Sequence, residues 1–430
     1  MNTFRPAQGD PLRAAGKEIP GEDRGPGDPR RFIAHHVLDI PKSGIRDFFE
    51  VVQSMTDVIS LGIGEPDFVT PWRIREAAIF AMEKGKTGYT SNLGLPRLRS
   101  AIAHYLSTRF DVFYQAQTEV LVSVGVSEAL DLALRAIVNP GDEVLFHEPS
   151  YVSYNPSITL AGGQPISIQT DAEHDFRLLP ESLEARITPR TKALLLSFPT
   201  NPTGGVMELT DLQPIADLCI QHDLLVLSDE IYCELVYNGS KHVSIASIPG
   251  MKERTILLNG CSKSFAMTGF RVGYACAPAP IIEAMMKIHQ YAIMCASVLS
   301  QEAAIEALEH CSKEVAAMRS DYERRRNFIV SRFNEMGLPC HSPKGAFYVF
   351  PYVGSTGLTS KQFSLTLLES QKVAVVPGDA FGSSGEGYVR CCFATSFEKL
   401  REASDRIEAF LRARSPGNAG NANITEIAGN

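Results

Sequence analysis

Long apolar runs are missing from this 430-residue chain. None approaches the roughly 18 residues of a membrane-spanning helix, so a membrane role is not expected. Blocks of lysine and arginine are missing too. The charges are interspersed, the formal net charge is −8, and no basic–aromatic stripe offers nucleic acid a surface. The ten histidines show no H-E-x-x-H or related spacing, which removes the usual motif for a catalytic metal. Cysteine is present nine times, an odd number, always between Cys219 and Cys392 and never as C-x-x-C. Cys391 and Cys392 are adjacent, which suits neither a disulfide framework nor a zinc site. Free thiols in a reducing cytoplasm, with no metal, are the expectation. Trp72 is the only tryptophan, and neither it nor the cysteine pair has a role that the sequence argues.

With 44% hydrophobic and 21% charged residues, the chain has the make-up of a globular protein with a sizeable core. Its two ends differ from the rest. Residues 1–30 hold five glycines and five prolines among few bulky apolar residues, too little to form a core, and 413–430 are similarly poor. Both are expected to be disordered, the first with no assigned role. Its acids, including Asp10, Glu18 and Glu22, disfavour a transit peptide.

Between the ends, apolar runs alternate with amphipathic stretches. Strands are predicted at 120–124, 143–147, 165–169, 193–197, 224–228, 256–259 and 272–276, with helices such as 127–138 and 211–222 among them. Continuous apolar strands imply a sheet covered on both faces, hence a doubly wound, mainly parallel α/β domain of seven strands over 81–324. Two long helices, 300–319 and 322–336, follow. Short strands at 346–350, 373–376 and 388–393 and a last helix, 398–412, then suggest a smaller α+β domain. That domain is drawn from 325–412 together with 31–80.

In open sheets of this kind the ligand sits at the carboxyl ends of the strands. The first strand leads into Gly125-Val126-Ser127-Glu128-Ala129, a glycine turn opening a helix, which suits a phosphate. The same string is close to the G-x-S-x-G nucleophile elbow, so a serine hydrolase is a rival reading. Tyr151 follows the second strand, where it could stack on a planar group. Asn201 is braced by two prolines after the fourth. Asp229 ends the fifth, where a half-buried carboxylate needs a cationic partner such as a protonated pyridine nitrogen. Lys263 follows the sixth, where poor solvation favours a neutral amine able to form a Schiff base. A hydrolase leaves Lys263 and Asp229 without a role. Gly62-Ile63-Gly64-Glu65 lacks the third glycine of a dinucleotide fingerprint, so a dehydrogenase gains no support.

These landmarks carry a resemblance. The motifs are L-G-I-G-E-P-D-F (61–68), G-K-T-G-Y-T (85–90), N-P-G-D-E-V (139–144), N-P-T-G (201–204), S-D-E-I-Y (228–232), S-K-S-F-A-M-T-G-F-R-V-G-Y (262–274), P-K-G-A-F-Y (343–348) and V-R-C-C-F-A-T (389–395). Together they resemble the fold-type I, class I pyridoxal phosphate aminotransferases, in the branch of bacterial and archaeal aspartate and aromatic enzymes, from about Ile40 to Leu411.

The resemblance implies that Lys263 holds pyridoxal 5′-phosphate and shuttles the substrate proton. It implies that Asp229 keeps the ring nitrogen protonated and that Tyr232 and Asn201 bind the phenolic oxygen. Ser262, Arg271 and the turn at Val126 and Ser127 would grip the phosphate, Tyr151 would stack on the ring, and Tyr89 would reach the phosphate of a neighbouring subunit in a homodimer. Arg390 would take the substrate carboxylate, assisted by Asn201 and Gly64, and Phe347 would line the pocket. The implied reaction is ping-pong transfer of an amino group from an aromatic or acidic L-amino acid, or a broad range, to a 2-oxo acid such as 2-oxoglutarate. Alternatives are an alanine or N-acetyl-diaminopimelate transaminase, or a lyase using the same cofactor. Some aspartate enzymes of this branch have a lysine where this chain has Ser127, which moves the expectation toward an aromatic or broad donor.

Overall fold

The computed structural model describes residues 28–38, 40 and 55–414. The expected disorder falls mainly on 1–27 and 415–430, which lie outside the described residues. Asp28 accepts the Arg30 N–H at 2.9 Å and caps the short 3-10 turn Pro29–Phe32, and a helical turn follows at His35–Leu38.

From residue 55 on, β1 (Ile59–Ser60) is followed by helices α1 (Trp72–Glu83) and α2 (Pro96–Phe110). Then strands and helices alternate: β2 (Val120–Ser123), α3 (Gly125–Ile137), β3 (Glu143–Glu148), α4 (Tyr154–Leu160), β4 (Gln164–Gln169), α5 (Pro180–Glu184), β5 (Thr191–Ser197), α6 (Leu209–Gln221), β6 (Leu225–Asp229), β7 (Thr255–Gly260) and β8 (Gly273–Cys276). The seven strands β2 to β8 form one sheet in the order β2-β8-β7-β6-β5-β3-β4, parallel except for β8, which is antiparallel to both neighbours.

The continuous apolar runs have the predicted cause. Val144, Phe146, Ala193 and Leu195 point into a core with α3, whereas Leu145, Leu194 and Leu196 point into a second core with α6. Successive residues face opposite sides, and both sides are covered.

The rest comprises α7 (Ala279–Ala292), α8 (Val298–His310), α9 (Ser312–Glu335), β9 (Tyr348–Val349), α10 (Ser360–Gln371), β10 (Val373–Ala374), β11 (Val376–Pro377), β12 (Val389–Cys392) and α11 (Phe397–Arg414). Two expectations change here. The helix break predicted at 319–322 falls at Cys311 instead, and α9 runs unbroken through Asp321. Tertiary packing sets that corner: α8 lies on α1 and α2, while α9 turns away to pack along α11. The expected strand 373–376 also divides. β10 pairs in parallel with β1, whereas β11 joins β12 and β9 in a separate antiparallel sheet. No described helix is long and apolar enough to cross a membrane. All nine cysteines are free thiols.

Candidate active site

The carboxyl ends of β5, β6 and β7 and the start of α3 surround a cavity of ≈ 1000 Å³. Lys263, Asp229, Tyr232, Asn201, Tyr151, Ser262, Arg271, Arg390, Gly64, Val126 and Ser127 all line it. Phe347 stands behind that wall, fully buried, with its ring centroid 5.8 Å from Lys263 Nζ. Tyr89 is 84% exposed and outside the cavity.

Two groups at strand ends are set off their ordinary protonation range. Removal from water lowers the Lys263 amine to about 8, because its charged form loses hydration. Its Nζ donates to the Gly64 carbonyl at 2.6 Å. Burial acts oppositely on Asp229 and raises its carboxyl to about 6, against hydrogen bonds from the Ile231 N–H (3.2 Å) and the Tyr154 hydroxyl (2.9 Å). No lysine, arginine or histidine forms an ion pair with Asp229 among the described residues.

At the opposite side two positive features converge. Arg271, itself in the left-handed region (φ 52°), brings its guanidinium against the first turn of α3. A Cβ at Gly125 would lie 2.7 Å from Arg271 Nη2, and Gly125 has φ 74°, so glycine alone meets both demands. The free N–H groups of that turn and the guanidinium therefore face one space, an arrangement that attracts an anion.

Arg390 leaves β12 and is 5% exposed. It donates from Nη1 to Asn201 Oδ1 (2.9 Å) and from Nη2 to the Gly62 carbonyl (2.6 Å), and it lies over the rings of Tyr348 (4.6 Å) and Phe381 (4.8 Å). Its Nε is buried and has no partner. No carboxylate pairs with it among the described residues, although fourteen other described arginines form carboxylate pairs.

Two wall residues escaped sequence reasoning. Tyr154 supplies the hydroxyl on Asp229, and Tyr348 places its hydroxyl 2.9 Å from that of Tyr232. Tyr154 sits three residues beyond Tyr151 on the next helix and carries no motif of its own. Tyr348 closes the P-K-G-A-F-Y string, which pointed to Phe347 instead.

The profile of the family described as "Aminotransferase class I and II" matches residues 56–407. The chain belongs to this family. It is 50% identical over 374 residues to an aspartate aminotransferase of Pyrococcus abyssi, covering 86% of this chain and 96% of that one. It is 46% identical to aromatic-amino-acid aminotransferase 2 of Thermococcus litoralis, with the same coverage. A solved structure of an aromatic aminotransferase from Pyrococcus horikoshii superposes with TM-score 0.82 at 48% identity, covering 86% of this chain and 99% of that one.

As a class I/II aminotransferase the protein is an enzyme that uses pyridoxal 5′-phosphate. The site's own charges fit this group. A buried carboxylate without a cation matches a protonated ring nitrogen, and the Arg271–helix cup matches a phosphate. A near-neutral lysine amine matches an aldehyde. Gly125→Ala is accordingly expected to weaken cofactor retention by about 10-fold or more, since the methyl displaces Arg271 and forces a left-handed backbone costing about 1–2 kcal/mol. Cofactor absorbance after exhaustive dialysis measures this; full retention would mean that the cup tolerates a Cβ.

Proposed function

We propose that this aminotransferase takes an aromatic L-amino acid as donor and 2-oxoglutarate as acceptor. One observation carries the reading. The lysines and arginines lining the cavity are Lys263, Arg271 and Arg390, and Ser127 stands at the turn where a fourth cation could meet a distal carboxylate. The remaining wall includes Ile63, Tyr151, Val152 and Tyr348, surfaces that favour a ring over a second carboxylate.

When bound, pyridoxal phosphate supplies the electron sink that makes the substrate Cα proton acidic. The chain's own groups then divide the work. Arg390 holds the substrate carboxylate as a bidentate pair, a geometry that its fixed contacts to Asn201 and Gly62 pre-set. Lys263, neutral in a sizeable fraction near pH 8, accepts and returns the proton at Cα. Asp229 holds the ring nitrogen's proton, and Tyr232 and the Asn201 amide donate to the phenolic oxygen. Arg271, Ser262 and the turn at Val126 and Ser127 anchor the phosphate.

With phenylalanine, tyrosine, aspartate and alanine each paired with 2-oxoglutarate, kcat/KM is expected to be highest for the aromatic donors. A clear preference for aspartate would overturn the donor assignment while leaving the chemistry intact. Ammonia released without any keto acid would instead mark a lyase. Arg390→Lys is expected to lower kcat/KM by about 100-fold, mostly through KM, because a point charge replaces two aligned N–H groups (about 3 kcal/mol).

The active enzyme is further proposed to be a homodimer in which the exposed Tyr89 completes the neighbour's phosphate site. A fully active monomer in light scattering would end that proposal. The division into a larger part and a smaller one is likewise proposed, supported by the pairing of β1 with β10 across more than 300 residues. Limited proteolysis that cuts evenly across the chain would count against it.

A further inference from the structure

The buried stripe of α7 runs through Ile282, Met285 and His289, spaced three and four residues apart, and packs against α3. Ile282 and Met285 join the apolar core that includes Leu130, Ala133 and Leu134 of α3. His289 is the one polar residue of the three, and it is fully buried. Its Nδ1 lies 2.8 Å from Glu128 Oε1, the ring's only hydrogen bond among the described residues, and its Nε2 is buried with no partner. A buried imidazole with one nitrogen unpaired is costlier than a leucine at the same place. The stripe therefore gives up stability for its contact with Glu128.

Glu128 is tied at both oxygens. Oε1 meets His289, and Oε2 accepts the Val124 N–H at 2.5 Å. Val124 is the residue between β2 and the first turn of α3. Neither lysine nor arginine pairs with Glu128 among the described residues, which leaves the histidine as its side-chain partner there. With Nδ1 donating, the carboxylate is drawn back toward Val124 and α7. The N–H groups of Gly125, Val126 and Ser127 have no carbonyl four residues earlier in the helix, so they remain for an anion. Untied, Glu128 would be a free carboxylate in the first turn of a helix, attracted to those same N–H groups. It would then compete with a phosphate, because two anions in one cup repel.

We propose that His289 is a positioning residue for the cofactor: by tethering Glu128 on the Val124 side, it keeps the turn at Gly125, Val126 and Ser127 open to the phosphate. Neither His289 nor Glu128 lines the cavity, so the effect falls on the cup and not on the amino acid. The inference rests on the function proposed for Arg271 and this turn as the phosphate anchor.

Cofactor-free protein, titrated in phosphate-free buffer with pyridoxal phosphate and with pyridoxal and followed by cofactor absorbance, tests it. Pyridoxal lacks the group that the cup holds, so the ratio of the two affinities isolates the cup. His289→Leu fills the space without a donor and should lower that ratio about 10-fold, the scale of one hydrogen bond to a charged group. His289→Asn keeps an N–H near the place of Nδ1 and should stay within about 3-fold of the wild type. His289→Leu combined with Glu128→Gln should recover the ratio, because the amide still accepts from Val124 but carries no charge to compete. If His289→Leu does not fold, His289→Met, apolar and adaptable, takes its place. Arg271→Leu must lower the ratio as well; if it does not, the anchor assignment and this inference fall together. A fall with Arg271→Leu but none with His289→Leu overturns the role of His289 alone. Equal losses of both affinities, which mark a packing defect, or a double variant that fails to recover, overturn it too.

Discussion

Replacing Lys263 by alanine is expected to lower turnover by about 10⁴-fold or more, the scale of removing both a nucleophilic amine and the proton carrier at Cα. The structure gives the side chain a position that no neighbour duplicates. Its Nζ is held by the Gly64 carbonyl at 2.6 Å, inside a wall whose other cations, Arg271 and Arg390, stay charged and cannot act as bases. The lowered amine also fixes a pH dependence. Raising the pH through about 8 deprotonates Lys263, and only the neutral amine attacks an aldehyde. The rate at which cofactor-free protein recaptures pyridoxal phosphate should therefore climb up to about pH 8 and level off above it. Single-turnover and reconstitution kinetics measure both effects. Turnover above a few per cent in Lys263→Ala would remove this lysine from the chemistry.

Asp229→Asn should move activity and stability in opposite directions. Activity falls by about 10³-fold, because an amide cannot hold a proton on a ring nitrogen as a carboxylate does. Stability of the cofactor-free protein rises. Burial raises the carboxyl to about 6 from an ordinary 3.8, so the folded chain binds this proton more tightly than the unfolded one. The favourable linkage is complete below pH 4 and is lost as pH rises through 6. Two units amount to about 3 kcal/mol, absent at pH 8 in the wild type. The asparagine variant has no charge to desolvate and should not show this decline between pH 4 and 6. Urea midpoints at pH 4 and 8 report it, and equal pH dependence in the two proteins would refute the burial argument.

Such a trade-off explains why the strand-end residues were legible in the sequence. Asp229 ends an apolar strand and Lys263 follows closely on another, where a charge conflicts with its surroundings and stands out. The seven-stranded sheet was legible for the complementary reason: each strand is buried on both faces and reads as an unbroken apolar run. The small sheets were not, since β9, β10 and β11 are two residues long and their pairing is decided by partners far along the chain. The corner at Cys311 lacks proline and glycine and is made by packing alone. Tyr154 and Tyr348 matter through one hydroxyl contact each, which no spacing announces. The adjacent cysteines that follow Arg390 prove to be core residues of β12, where both are buried. Trp72 is 56% exposed under the Arg75 guanidinium, and the structure gives it no further role.

The short segment after β1 holds two reactive side chains by main-chain oxygens, Gly62 for Arg390 and Gly64 for Lys263. Every residue type carries a carbonyl, so ordinary side-chain drift cannot delete either contact; only a change of backbone path can. Position 64 guards that path, since a Cβ there would come 2.4 Å from the Tyr348 hydroxyl. Ile63, between them, is half exposed and lines the cavity without holding anything in place. Evolution can therefore rewrite that one position to admit a different amino acid while the docking of the lysine and the arginine is inherited unchanged.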